Sequence, residues 1–208
     1  MNVIELNLGN DHRSRLLQGL AASIREKGLT GTQITDIVGH ARASRRTFYE
    51  CFPDKEACLL ELAERLRNAS LEIVEGAVDR DAPWERQVEQ AVDAYLGLLA
   101  ADPKMAIAFS SELPTLGGRW LEIRTAGVER FAEMVVRLSG APAMRAAGLE
   151  PLSMEKAVMI VAGIDGMVIR AVHNDESIIA LAAPAKEIVK GALREPAPAP
   201  PYSSERIV

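Results

Sequence analysis

The stretch Gln33–Phe52, QITDIVGHARASRRTFYECF, decides how this chain is read. Ile34, Ile37, Val38 and Ala41 recur at i, i+3, i+4 and i+7, which lines one face of a helix with apolar side chains. Ser44 then stands as an N-cap, because its hydroxyl can accept a bond from an orphan backbone N–H of the next turn. Behind that cap Arg45, Arg46 and Thr47 fall on the solvent side, while Phe48 and Phe52, four apart, share the buried side. Two short helices joined by a tight turn, the second showing arginines and hydroxyls from its first turn, suit entry into a DNA major groove. An ordinary pair of surface helices has the same periodicity, so the rest of the chain must decide between them.

Outward from this stretch, 208 residues suffice for one compact unit or two small ones, and a hydrophobic content of 48% can build a substantial core. Aromatics are only 4% while Ala, Leu, Val and Ile abound, which favours helices over sheets. The net charge of −5 argues against a protein that coats nucleic acid indiscriminately. Its distribution is uneven. Residues 12–67 hold ten Lys/Arg against seven Asp/Glu, net +3, whereas residues 68–208 hold fourteen against twenty, net −6. The segment that looks fit for DNA is the only net basic one. Cys51 and Cys58 match neither a CxxC redox motif nor zinc spacing, so two free thiols in a reducing cytoplasm are expected. No secretory leader is evident, and the most apolar run, residues 157–172, is short and carries Asp165 and Arg170, which predicts a buried helix rather than a membrane span.

The periodicity predicts an all-helical chain. Residues 1–11 read as a loose arm. A first helix runs from about His12 to Lys27 and stops at Gly28. Thr32 or Gln33 opens the second, Ser44 the third, and Pro53 closes the third. Asp54 caps a fourth that continues to about Glu75. Beyond a break at residues 76–83 follow a helix with Val88, Val92, Tyr95 and Leu99 on one face, a helix opened by Asp102 and Pro103, and a long one from Trp120 to Leu138. Between the last two, LPTLGG (residues 113–118) is a break. Residues 139–153 are expected to form a loop. Met154 to His173 reads as apolar nearly all round and so buried on most sides. Residues 178–193 are expected to be helical, with Pro184 kinking or splitting them, and the alternating prolines from Glu195 predict an extended, solvated tail over residues 195–208.

The first 67 residues or so resemble the DNA-binding domain of TetR-family transcriptional regulators. The likeness is carried by ITDIVGHA, SRRTFYECF and the following PDKEACLL, in which Ser44, Thr47, Phe48, Tyr49, Phe52, Lys55 and Leu60 fit the family pattern. Two positions depart from it. Arg42 stands where the turn normally carries glycine, and Val38-Gly39 stands where alanine is common. Arg42 either distorts the turn, since a positive φ is costly for it, or faces the phosphate backbone. The implied architecture is an N-terminal three-helix helix-turn-helix domain over residues 12–67 (motif 33–52) and a C-terminal helical ligand-binding and dimerisation domain over residues 68–194.

For DNA contact, Arg45 and Arg46 are candidates for bidentate bonds to guanine O6 and N7, and Thr47 for a phosphate or a thymine methyl. The resemblance implies phosphate contacts from Tyr49 and Lys55. Gln33 and Thr35 lie where the flanking phosphate would pass, and Arg42 and Ser44 complete the expected DNA-binding set. Glu50 is open to two roles, reading cytosine or repelling phosphate.

The resemblance further implies a homodimer held by the last two helices, here with Ile160, Gly163, Gly166, Met167 and Ile188 at the contact, and a double-stranded palindromic operator. It also implies a cavity for a small-molecule effector, apolar or amphipathic. Tyr95, Met105, Phe109, Ser110, Glu112, Trp120, Ile123, Phe131 and Met134 are its expected lining. No cofactor, metal or membrane partner is expected. Repression is the family's common outcome. A helical adaptor without DNA binding is the first alternative. The second is a small all-α enzyme using Glu112 or Asp165, although no GxSxG, P-loop, GxGxxG or HExxH pattern is present.

Overall fold

The computed structural model describes residues 11–109 and 118–194, and every regular element among them is a helix. Helix α1 (His12–Gly31) begins at Asp11, which belongs to the structured part rather than to an arm, since its carboxylate accepts the Ser14 N–H (2.9 Å) and hydroxyl (2.8 Å). Gly28 adopts φ 76° inside α1, and one further helical turn follows it where a plain connector was expected. Helices α2 (Ile34–Ala41), α3 (Arg45–Cys51) and α4 (Lys55–Gly76) complete the head. Helix α4 runs unbroken through residue 67, so the expected domain boundary falls inside a continuous helix. Asp54 caps α4 through the Ala57 N–H (2.7 Å).

The second half consists of α5 (Trp84–Ala101), α6 (Pro103–Ile107), α7 (Gly118–Ser139), α8 (Pro142–Ala146), α9 (Met154–His173), a 3-10 turn (Ile178–Leu181) and α10 (Ala182–Arg194). Helix α8 lies within the segment expected to be loop. Pro142 opens it, where a missing N–H is harmless, and Met144 anchors it in the core. Of the two outcomes expected at Pro184 the split is the one seen: a 3-10 turn ends at Leu181 and Pro184 sits in the first turn of a separate α10, where backbone N–H groups have no intrahelical partner. The LPTLGG break and the tail of residues 195–208 lie outside the described residues, except that Gly118 begins α7.

Burial divides the molecule into a head core and a body core. Leu16, Leu17, Leu20, Ile24, Ile37, Phe48, Phe52, Leu59 and Leu62 are almost wholly buried together in the head, joined by Met105 and Ala108 from α6 and the turn after it. The body core gathers Trp84, Val88, Val92 and Leu96 of α5 with Ile160, Val168 and Ala171 of α9 and Leu181, Ala185 and Leu193 beyond. Lys186–Asp93 (2.6 Å) and Lys190–Glu89 (2.8 Å) tie α10 to α5. No described helix is long and apolar enough to cross a membrane.

Cys51 and Cys58 are both free thiols. Burial pushes the Cys58 thiol up to about 12. The unfolded chain therefore ionises this thiol at a lower pH than the folded one, and stability is lost as pH rises through the window between about 9 and about 12. We expect a loss of roughly 1–2 kcal/mol by pH 11, at 1.36 kcal/mol per pKa unit discounted for residual structure in the unfolded chain. Urea melts of wild type and Cys58→Ala at pH 8 and pH 11 check this, and an equal drop in both proteins would contradict it.

Candidate nucleic-acid interface and internal cavity

Helix α3 is held by its apolar side and leaves its polar side free. Phe48 and Phe52 are fully buried with ring centroids 5.8 Å apart. Ser44 caps the helix, its Oγ accepting the Thr47 N–H at 3.0 Å and lying 2.8 Å from the Thr47 hydroxyl. Arg45 and Arg46 point to solvent. Arg45 forms no ion pair with a described residue, and Arg46 reaches only Glu50, one turn on, at 2.9 Å. Exposed pairs of this kind are worth well under ~1 kcal/mol, so both guanidiniums are available to another partner. Tyr49 is 52% exposed and stands edge-on to Phe48, with its phenol facing outward.

The preceding turn closes α2 with a pair of bonds, Ala43 N–H to the Val38 carbonyl (2.9 Å) and Arg42 N–H to that of Gly39 (3.2 Å). Arg42 takes φ 49°, ψ 45°, the left-handed conformation in which glycine would be comfortable, so the turn keeps its shape at the expense of local strain. The Arg42 side chain is exposed. Gln33 and Thr35 are exposed at the start of α2, where the Gln33 N–H donates to Asp36 Oδ2 (2.8 Å). Lys55 is placed differently from a free phosphate ligand. Its ammonium donates to the carbonyl oxygens of Thr32 (2.9 Å) and, at 3.4 Å, Leu29, so it fastens the start of α4 to the α1–α2 connection.

Two braces behind this surface carry no local sequence signal. Arg13 of α1 forks onto Glu61 of α4 (Nε–Oε2 2.7 Å), donates to the Cys51 carbonyl at the C-terminus of α3 (2.8 Å) and stacks over the Phe52 ring at 4.4 Å. The Glu61 carboxyl is held below its usual range by Arg13 first and by Arg65 also. At Gly19, α1 and α2 come so close that a Cβ would collide with the Ile37 carbonyl and lie 3.0 Å from the Ala41 nitrogen.

Below the head lie two adjoining cavities. The larger, about 220 Å³, is walled by α4, α5, α6, α7 and α9 and includes Tyr95, Met105, Phe109, Ile123 and Phe131. The smaller, about 90 Å³, has almost wholly apolar walls and includes Met134 and Ile160. Tyr95, Phe131 and Val161 belong to both, and the Tyr95 and Phe131 rings, centroids 5.1 Å apart, stand between the two spaces. Burial, and secondarily the charge of Asp165, raises the Tyr95 phenol pKa. The polar groups of the larger cavity are Arg67, Ser70, Tyr95, Asp102, Arg124 and Asp165, of which the sequence pattern pointed only to Tyr95 as a fixing point. Arg124 and Asp165 pair at 3.2 Å. Ser110 and Glu112 lie outside the described residues, as does the Trp120 side chain.

Residues 16–62, which run from within α1 into the first part of α4, match the sequence profile of bacterial regulatory proteins of the tetR family. The family match is confined to this N-terminal part of the chain. The uncharacterized HTH-type transcriptional regulator YvdT of Bacillus subtilis is 32% identical over 79 residues, which are 38% of this chain and 41% of that protein. The chain thus matches about two-fifths of that relative's length. Solved structures extend the likeness to the body. The fatty acid degradation regulator FadR of Bacillus halodurans superposes with a TM-score of 0.73 at 20% identity, covering 89% of this chain and 97% of its own. FadR of Bacillus subtilis, solved in complex with stearoyl-CoA, gives 0.65 at 21%, covering 84% and 96%. A TetR transcription regulator of Haloarcula marismortui gives 0.73 at 15%, covering 89% and 100%. At these identities the likeness is one of fold.

The outer face of α9 departs from the expectation of burial on most sides, and α10 continues it. Met159 (66%) and Ile188 (60%) are exposed, Met167 is partly so, and Gly163 and Gly166 have open space before them. Ile160, expected at a dimer contact, is instead buried in the body core, because one step along a helix turns a side chain by about 100°. Met159 occupies the outer position in its place. Among the described residues no cluster of His, Cys, Asp or Glu could hold a metal ion.

Proposed function

We propose that the chain is a ligand-responsive, sequence-specific DNA-binding regulator, a homodimer that represses from a palindromic operator and is released by a small apolar or amphipathic effector. The observation that carries this reading is the division of α3, with Phe48 and Phe52 locked in the head core and Arg45, Arg46 and Tyr49 presented to solvent. Arginine forks so placed suit guanine edges, and Tyr49, Arg42, Gln33 and Thr35 border them where phosphates pass. FadR of Bacillus subtilis was solved with stearoyl-CoA, which supports a role for the cavities as an effector site.

Head and body are joined in a way that suits a population shift. Met105 belongs to the head core and lines the larger cavity at once. Asp102, which caps α6, pairs with Arg25 of α1 at 2.6 Å, and Lys104 donates to the Arg25 carbonyl at 2.7 Å. An effector that alters the seat of α6 alters the seat of α1. Binding is tested by fluorescence anisotropy on DNA flanking the chain's own gene, with excess non-specific competitor and a salt series. Saturable binding that resists competitor and weakens with salt is expected. Binding that competitor abolishes on every fragment, and in a genome-wide DNA selection as well, would favour an adaptor.

The dimer is assigned to the exposed face of α9 and α10, where Gly163 and Gly166 allow close helix approach. Met159→Lys places an ammonium in that face. We expect the dimer dissociation constant in sedimentation equilibrium to rise at least about tenfold (1.4 kcal/mol). An unchanged constant would move the interface elsewhere.

A further inference from the structure

The larger cavity is lined by two arginines, Arg67 and Arg124, and two aspartates, Asp102 and Asp165. Asp102 is paired with Arg25, and Asp165 with Arg124. Arg67 is left over. Its Nε is buried without a hydrogen-bond partner, and its Nη1 makes only a 3.5 Å approach to the Ile123 carbonyl. Glu64, one turn earlier on α4, is near enough to be felt electrostatically but forms no ion pair with it, and Arg130 adds positive charge from α7. Burial lowers the Arg67 pKa, so the site favours a partner that restores charge balance. The position is that of a doorway. Arg67 lines the inner cavity and also the open groove between α4 and α7 outside it, its side chain passing beside Gly127 of α7.

Behind this cation the walls turn apolar by stages. Leu98, Met105, Phe109 and Phe131 surround the larger cavity, and past the Tyr95–Phe131 pair the smaller cavity is almost entirely hydrocarbon. The Tyr95 hydroxyl makes no hydrogen bond to a described residue.

We infer that the effector is an amphipathic anion with an unbranched apolar chain: its head group pairs with Arg67 at the α4–α7 doorway, and its tail runs toward the Tyr95–Phe131 pair. This rests on the regulator reading above and adds the ligand's class to it. A carboxylate matches the guanidinium fork in a site of low polarity, whereas an alcohol of equal length offers no charge. The Tyr95–Phe131 pair then sets tail length, because only a tail that parts the rings reaches the inner space. The anion can be a free carboxylate or the phosphates of a coenzyme A thioester, which share the same demand on Arg67.

The test is calorimetric titration of the full chain with decanoate, decanoyl-CoA and 1-decanol, repeated on Arg67→Met and Arg67→Lys. Wild type is expected to bind one of the anions at least about tenfold tighter than the alcohol, as charge-assisted pairing predicts. The better anion identifies the source. Arg67→Met is expected to lose that preference while still binding 1-decanol, which shows that the cavity remains folded, and Arg67→Lys to retain part of it. Equal affinity for anion and alcohol in wild type, or a preference undiminished in Arg67→Met, overturns the inference. A series from octanoate to palmitate on Phe131→Ala is expected to shift the optimum to longer tails, and an unmoved optimum removes the gate. Operator release is read separately. An alcohol that releases DNA as well as the anion leaves the regulator standing without this site, and anion binding by a chain with no operator leaves the site standing without the regulator.

Discussion

Replacing Arg45 and Arg46 together with alanine is expected to reduce operator binding to the level of non-specific DNA while leaving the fold intact. Each bidentate arginine–guanine contact is worth about 1–3 kcal/mol of discrimination, and a dimer repeats both contacts on two half-sites. Four such contacts amount to roughly 4–12 kcal/mol, comparable to the ~4–10 kcal/mol that separates specific from non-specific binding. The side chains removed contribute little to stability. Both are exposed, and the Arg46–Glu50 pair, with side chains 88% and 59% exposed, is too well solvated to matter. Anisotropy titration with competitor, beside a urea melt, separates the two effects. A variant that melts like wild type and still selects the operator would show that α3 does not read the bases. Thr35→Ala or Tyr49→Phe, by contrast, should weaken binding evenly across sequences, as loss of a phosphate contact does.

Gly19→Ala is expected to destabilise the chain by about 3 kcal/mol, at the upper end of the range for overpacking. The sign is the informative part. Helix propensity alone predicts the opposite, a gain of roughly 0.5–1 kcal/mol for alanine over glycine in a helix interior. The structure reverses it because the atoms that a Cβ would strike, the Ile37 carbonyl and the Ala41 nitrogen, are backbone of α2 and cannot rotate away. Separating α1 from α2 would also loosen Leu16, Leu20 and Ile37, which are among the most deeply buried side chains of the head. A urea melt measures the effect. A variant as stable as wild type, or more so, would mean that the two helices do not approach this closely.

The same contrast runs through the molecule. Features that act over one or two helical turns were legible in the chain. Ser44, Asp54 and Asp102 cap the helices that begin after them, because a cap needs only its own side chain and the next turn. The apolar stripe of α2 and the Phe48–Phe52 spacing face the core because a period of 3.6 residues leaves them no other common side. Arg42 stood out as the misfit of its turn and does adopt the left-handed conformation there.

Sequence alone therefore determined the all-helical class, the helix-turn-helix and the polar face of α3, since these follow from periodicity, caps and turn chemistry close along the chain. Tertiary structure alone decided which distant residues meet. Arg13 reaches Glu61 across 48 positions, and Lys104 reaches the Arg25 carbonyl across 79. Met159 rather than Ile160 looks outward because α9 packs at one particular rotation against the body, and a hydrophobic pattern running nearly all round a helix does not specify that rotation. Arg67 reads as one more charged residue on a surface helix. Only the packing of α7 across α4 encloses it, and enclosure in low-dielectric surroundings is what turns an ordinary cation into one that calls for a partner.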